Sequence, residues 1–199
     1  MKKTPFWLLI NAVIRRRLNS NFCKNYDDVV HKIVQTYDVT GSFNIAGTNV
    51  CLTKEDIVLV FGIQCGTKPL PKTTVKRKDV AFVARRQIKQ DKMSAKTIKE
   101  LIPELKSSIE KEDIQDIVRM VCMILCVTLF FPTSGINLSW SHVALLEDFD
   151  EMKTYDWAEC IREKLMSSIK KYHKQPKDVK GCVVALLVCS IHFVFLTNC

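Results

Sequence analysis

The sequence predicts a mainly α fold, a multi-helix bundle of seven or eight helices with one small β-hairpin near residues 42–52. Three observations carry that expectation. Apolar residues recur at i, i+3, i+4 and i+7 along most of the chain, the spacing that lines one face of a helix. Only between Phe43 and Leu52 does the period shorten to two, with Gly41 and Gly47 as turn residues. The 199 residues are 47% hydrophobic with 6 Gly and 6 Pro, which supplies one core and excludes collagen-like, low-complexity and disordered chains. That length suits a single module over residues 1–199, and no internal repeat recurs at a solenoid period.

Thr4-Pro5 is expected to open the first helix, a capping hydroxyl followed by Pro in the first turn. Phe6, Leu9, Ile10, Val13 and Ile14 then share its inward face. A second amphipathic helix is expected over 27–36, with Val29, Val30, Ile33 and Val34 inward. After the hairpin, Thr53-Lys54-Glu55-Asp56 approximates a capping box, with Asp56 where Glu or Gln is usual. It leads a helix through Phe61 that Gly62 stops.

Residues 68–100 differ from everything around them. They hold 11 Lys and Arg against Asp79, Asp91 and Glu100, so +8 of the net charge of +9 lies there. Pro69 and Pro71 open the segment and apolar residues are sparse. It reads as a basic exposed insertion or linker within the module, with one helical stretch. Beyond it, Asp113 to Phe131 is a buried helix stopped by Pro132, and a second helix lies near Ser139 to Leu146. The acidic run Glu147–Glu151 reads as a solvated face. Asp156 caps a helix whose Trp157, Ile161, Leu165 and Ile169 form one stripe. A polar stretch over 170–180 precedes a last apolar helix from Gly181. That helix is the most apolar in the chain and is barely finished at Cys199, so the module is expected to be truncated at its C-terminus.

Val121–Phe131 and Cys182–Leu196 are the most membrane-like segments, at 11 and 15 residues. A spanning helix needs roughly 20, so both are expected as core helices, with no membrane association. The nine cysteines are odd in number and mostly sit in apolar runs. The short apolar patch after Met1-Lys2-Lys3 meets Arg15-Arg16-Arg17 without a small-residue cleavage site. A reducing compartment follows.

Few residues suggest chemistry. Cys122 and Cys126 at i, i+4, and Cys189 and His192 at i, i+3, have helical spacings that could present metal ligands. A structural zinc site uses four ligands, usually from loop knuckles, and inside apolar helices these residues read as core. Gln64-Cys65-Gly66 has the look of a thiol nucleophile, with His142, Asp148 and Asp150 as the available base and orienting groups. Nothing in the sequence ties them to Cys65. Neither GxGxxG nor GxxxxGK[ST] occurs, and no cofactor is expected. The remaining candidates are basic: Lys76, Arg77, Lys78, Arg85, Arg86 and Lys89 could contact nucleic-acid phosphates or serve as a nuclear-import address, with Arg15-Arg16-Arg17 as a second cluster. Phe82 is the one aromatic there, too little for a single-strand stacking platform.

Several stretches together resemble a known family. They are Thr4-Pro5-Phe6-Trp7; Asn49 through Ile57 running into Val60-Phe61-Gly62-Ile63; Phe131-Pro132 before Leu138-Ser139-Trp140; Asp148-Phe149-Asp150 before Tyr155-Asp156-Trp157-Ala158; and Gly181 through Leu186. Their order and spacing resemble the plant mobile domain, also called aminotransferase-like, which precedes the protease domain in plant ubiquitin-like-protease-family proteins. The resemblance implies a non-enzymatic, helical protein-interaction module of plant nuclei, transposon-derived and linked to transposon silencing or gene expression. It implies a protein partner, a phosphatase-like nuclear protein among the known types. It supplies no catalytic, cofactor or metal residue. Two alternatives stay open: a nucleic-acid-binding protein using residues 68–100, and the non-catalytic N-terminal part of a ubiquitin-like-protease-family cysteine peptidase.

Overall fold

A computed structural model describes residues 1–17, 27–133 and 135–188. The chain is mainly α, as the sequence predicts, with nine α-helices, a further helical stretch at 184–188 and two small antiparallel sheets among the described residues. Helix α1 spans Trp7–Ile14. Thr4 does not cap it. Phe6 is fully buried, and the helix begins only after this anchor; the Thr4 hydroxyl instead donates to the Met1 carbonyl at 3.0 Å. The Pro5 carbonyl accepts the Gln64 N–H at 3.0 Å, tying the start of the chain to a segment about 60 residues on. Leu9 and Ile10 reach the core, whereas Val13 and Ile14 are more than half exposed, because only the first turns of α1 lie against it.

Helix α2, Asp27–Gln35, buries Val30, Ile33 and Val34 and packs against the strand Phe43–Ile45 and a 3-10 turn at Pro176–Asp178. Val29, expected inward, faces out. Strands β1 (Phe43–Ile45) and β2 (Thr48–Val50) form the expected hairpin, with Phe43 opposite Val50. Ala46 and Gly47 both have positive φ, 51° and 84°, which makes the type I′ turn that matches strand twist. The expected capping box is present on α3, Lys54–Phe61: the Thr53 hydroxyl accepts the Asp56 N–H at 3.1 Å and Asp56 accepts the Thr53 N–H at 2.7 Å. Gly62 ends the helix in the left-handed region.

Residues 68–100 are not an exposed insertion. They carry a 3-10 turn at Arg77–Asp79, helix α4 (Ala81–Arg85), strand β3 (Met93–Ser94) and the start of α5 (Ala95–Leu105). Val80, Phe82, Val83, Ile88, Met93 and Ile98 are all buried in the core. The sparse apolar residues mislead because each falls at an inward position, while the lysines between them point out. Helix α6, Lys111–Leu125, packs on α5 and runs into a π-helical turn at Cys126–Phe130. β3 pairs with β4 (Asn137–Leu138), then come α7 (Trp140–Ala144), α8 (Phe149–Met152) and α9 (Trp157–Tyr172). Ser139, Asp148 and Asp156 cap these three helices with their side-chain oxygens.

The α9 stripe of Trp157, Ile161, Leu165 and Ile169 is fully buried. Around it sits an aromatic cluster: the Phe6 ring lies 5.2 Å from both Phe130 and Trp157, and Phe61 lies 5.6 Å from Phe130. The Trp157 indole N–H donates to the Met152 carbonyl at 2.8 Å, so the ring is buried without an orphaned donor. α3 lies along α9, and the chain after it pairs with the entry to α9, with Lys68 bridging Tyr155 in parallel. Gly66 is required in that pairing: a Cβ there would stand 1.9 Å from the Thr154 carbonyl oxygen. Residues 184–188 are helical, and Cys182, Ala185 and Leu186 are buried. The rest of the expected last helix, Cys189 and His192 included, lies outside the described residues.

Candidate functional site

The six basic residues singled out in the sequence divide into two groups. Lys76, Lys78 and Lys89 are exposed. Arg85 and Arg86, at the end of α4, turn inward onto the first turns of α6. Asp116 is the centre of that contact, its side chain fully buried. Arg85 grips it with two nitrogens, at 2.9 and 3.2 Å, and Arg86 with Nε at 2.6 Å. Arg119, one turn along α6, adds a third contact at 2.6 Å. Outer acids complete the lattice: Glu147 meets Arg85 at 3.0 Å, Asp113 meets Arg86 at 2.6 Å, and Glu112 meets Arg119 at 2.9 Å. Glu147 also accepts the backbone N–H of Phe82, and Arg119 donates to the Glu147 carbonyl at 3.0 Å. The lattice therefore locks α4, α6 and the α7–α8 connection together.

Its electrostatics are mutually supporting. Burial acts to raise the Asp116 pKa, but hydrogen bonds from Arg85, Arg119 and Arg86 outweigh it and hold the carboxyl below its usual range. The Asp113 carboxyl is held down by hydrogen bonds from Ser108 and Arg86. Burial works against the Arg85 charge, yet Asp116 and Glu147 more than offset it, and the guanidinium stays ionised. These arginines are committed to the fold and are not available as surface contacts, a correction to their expected role. Arg77 is also structural: its guanidinium donates to the carbonyls of Ile88, Lys89 and Gln90.

The thiol candidates are engaged elsewhere. The Cys65 sulfur accepts the Ala158 N–H at 3.3 Å, and burial pushes its pKa up. His142 Nδ1 lies 2.6 Å from the Ser139 hydroxyl, and burial lowers its pKa. Asp148 caps α8 and Asp150 pairs with Lys153 at 3.0 Å, so neither orients the imidazole. His142 does line a cleft of about 310 Å³, with Ser141, Leu145, Cys160 and Glu163, closed on one side by Pro69-Leu70-Pro71. Cys160 is held as a thiol there, its pKa pushed up to about 11 by burial. The thiolate is the nucleophilic form, so burial holds this sulfur in its less reactive state. Cys122 and Cys126 are fully buried on α6 and the π-helical turn, and burial pushes the Cys122 thiol up to about 12. Among the described residues, no group of three or more His, Cys, Asp or Glu gathers to hold a metal ion. None of the described helices is long and apolar enough to cross a membrane.

Among protein families, the model of the Domain of unknown function (DUF8566) matches residues 18–187. The chain belongs to the DUF8566 family. No curated protein and no solved structure matches it.

The DUF8566 span takes in the hairpin, the arginine lattice, the cleft and the whole of α9, while Arg15-Arg16-Arg17, Cys189 and His192 fall outside it. The N-terminal segment up to α1 precedes the span but supplies Phe6, the residue before that helix, to the aromatic cluster. Sequence reasoning missed Asp116, Arg119 and Glu147. The signal available was on α6, where Asp116 and Arg119 at i, i+3 interrupt an inward face that also carries Met120 and Met123. Charged residues at inward helix positions require partners, and the sequence does not say that Arg85 and Arg86 are those partners.

Proposed function

We propose that the chain is a non-enzymatic protein-interaction module of transposon-derived type, working in the nucleus. The observation that carries this reading is the apolar surface where α1 and α3 abut. Leu8 is 51% exposed and Leu59 is 74% exposed. Gly62, three residues after Leu59, comes so close to Leu8 that a Cβ there would lie 3.0 Å from the Leu8 Cβ. Neighbouring apolar side chains turned to solvent are the mark of a protein-binding surface, more than isolated ones. The same region carries two of the motifs that resemble the plant mobile domain, Thr4 to Trp7 and Asn49 to Ile63, which supports a nuclear protein as the partner. The commitment of Cys65, His142, Asp148 and Asp150 to structural hydrogen bonds supports a non-catalytic role.

A tagged full chain expressed in plant nuclei tests this. Wild type is expected to concentrate in nuclei and to enrich a defined nuclear protein. The Leu8→Asp, Leu59→Asp double variant is expected to lose that protein at least tenfold while keeping the wild-type melting temperature. Equal recovery by the double variant, or turnover of a ubiquitin-like conjugate that disappears in Cys65→Ala, overturns the proposal.

A further inference from the structure

Once the arginines are assigned to the fold, the basic segment takes a different meaning. Arg77 reaches across to the carbonyls of Ile88, Lys89 and Gln90, at 3.4 Å from the first and last. That clip draws the 3-10 turn bearing Lys76 and Lys78 against the turn bearing Lys89. The second turn is held from its other side by Trp140, whose indole N–H donates to the Asp91 carbonyl at 2.7 Å. Lys92 follows immediately, at the entry to β3. Two runs of sequence eleven residues apart are thus fixed as one surface. All four lysines on it are exposed, and none makes an ion pair in the structure. Asp79 and Asp91 lie exposed on the same two turns, so the four lysines outnumber the acids beside them two to one, and Asp113, Asp116 and Glu147 are spent on Arg85 and Arg86.

We infer that Lys76, Lys78, Lys89 and Lys92 form a docking face for the phosphate backbone of duplex nucleic acid, read without regard to base sequence. Charge selects a polyanion, and what is missing from the face selects which one. Among the described residues of 68–100, no large apolar side chain is exposed, so the face lacks the anchor that a protein interface is built around. Phe82, the one aromatic of the segment, is fully buried, and the Trp140 ring beside the face is half-buried with its N–H held by the Asp91 carbonyl, so the face lacks the row of free rings on which successive unpaired bases stack. Lysines on flexible stems act as point charges that suit phosphates in any register. The face lies on a different part of the chain from Leu8 and Leu59, and the inference stands whether or not a protein docks there.

The test uses the full-length chain with two unrelated 20-base-pair duplexes, a single strand of equal length, and polyglutamate, each at 50 and 200 mM salt. Four phosphate contacts predict a fall in duplex affinity of roughly 100-fold across that range. Both duplexes are expected to bind alike and more tightly than the single strand. The Lys76→Gln, Lys78→Gln, Lys89→Gln, Lys92→Gln variant is expected to lose at least tenfold at 50 mM and to show a flatter salt dependence. A control with Lys170, Lys174, Lys177 and Lys180 changed to Gln carries the same net charge and is expected to bind as wild type; circular dichroism confirms that both variants fold. Three results overturn the inference: no duplex binding at 50 mM, equal losses in the two variants, or preferential binding of polyglutamate or of the single strand. A preference for polyglutamate would point to an acidic protein as the ligand, and a preference for the single strand to an unpaired strand.

Discussion

Asp116 joins three arginines through one buried carboxylate, and its energetics follow from that burial. Three guanidinium groups satisfy its two buried oxygens, so removing the carboxylate takes away the one acid that all three share and leaves each with only its outer partners. Asp116→Ala is expected to lower stability by about 3–5 kcal/mol, read from urea unfolding, as for other broken buried pairs. The pH dependence has a definite sign. A carboxyl whose folded pKa is depressed adds stability that is complete above its unfolded value and is lost as pH falls through the folded one. Asp38 gives the clearest window. Its oxygens accept hydrogen bonds from the hydroxyl and N–H of Thr40 and from the N–H and hydroxyl of Ser42, which lower its pKa from 3.8 to about 2. The urea midpoint of the wild type is expected to fall between those two pH values. Asp38→Asn is expected to show a shallower fall over the same interval. Residue roles of this kind were only partly legible. The Thr53–Asp56 box could be read because both partners are local, whereas the Asp116 contacts with Arg85 and Arg86 span about 30 residues and leave no periodic trace.

Elements with local signals were read well, and those defined by distant partners were not. The hairpin, α3 and α9 each announce themselves through turn glycines, caps or an unbroken stripe, and each is present where expected. The start of α1 was misread because Thr4-Pro5 has capping chemistry, yet the burial of Phe6 decides where the helix begins. β3 and β4 are two residues each and exist only because they pair with one another across more than 40 residues. The π-helical turn after α6 was equally silent, since its apolar residues fit an α-helix as well. The pairing of 66–68 with 154–156 makes the sharpest demand on sequence. Gly66→Ala would drive a methyl into the Thr154 backbone, which cannot rotate away as a side chain could. This change is expected to cost about 3 kcal/mol, the upper part of the range for overpacking, and to lower the melting temperature accordingly. An Ala at Gly41, where the built Cβ meets nothing within 4 Å, serves as the comparison: it tests backbone strain alone.

At the scale of the whole molecule, the charge and the chain path are linked. The sequence placed nearly all the net charge in one segment, and that count stands. What it could not show is that the segment is part of the core and divides its cations between an internal lattice and an outer face. The two surfaces proposed above, apolar at α1–α3 and basic at 76–92, are therefore independent, and each variant set should leave the other's binding intact. The path has a further consequence. Residues 54–68 find their partners near 151–158: Lys54 pairs with Asp156 at 2.6 Å, Lys68 exchanges backbone hydrogen bonds with Thr154 and Asp156, and Cys65 meets Ala158. Contacts separated by about 100 residues form late, because a long loop must close before they contribute. During synthesis on the ribosome, α3 must wait in the open until α9 has emerged, with Ile57 and Phe61 uncovered for several seconds at ordinary elongation rates. The nascent N-terminal third is then the part of this protein most in need of a chaperone.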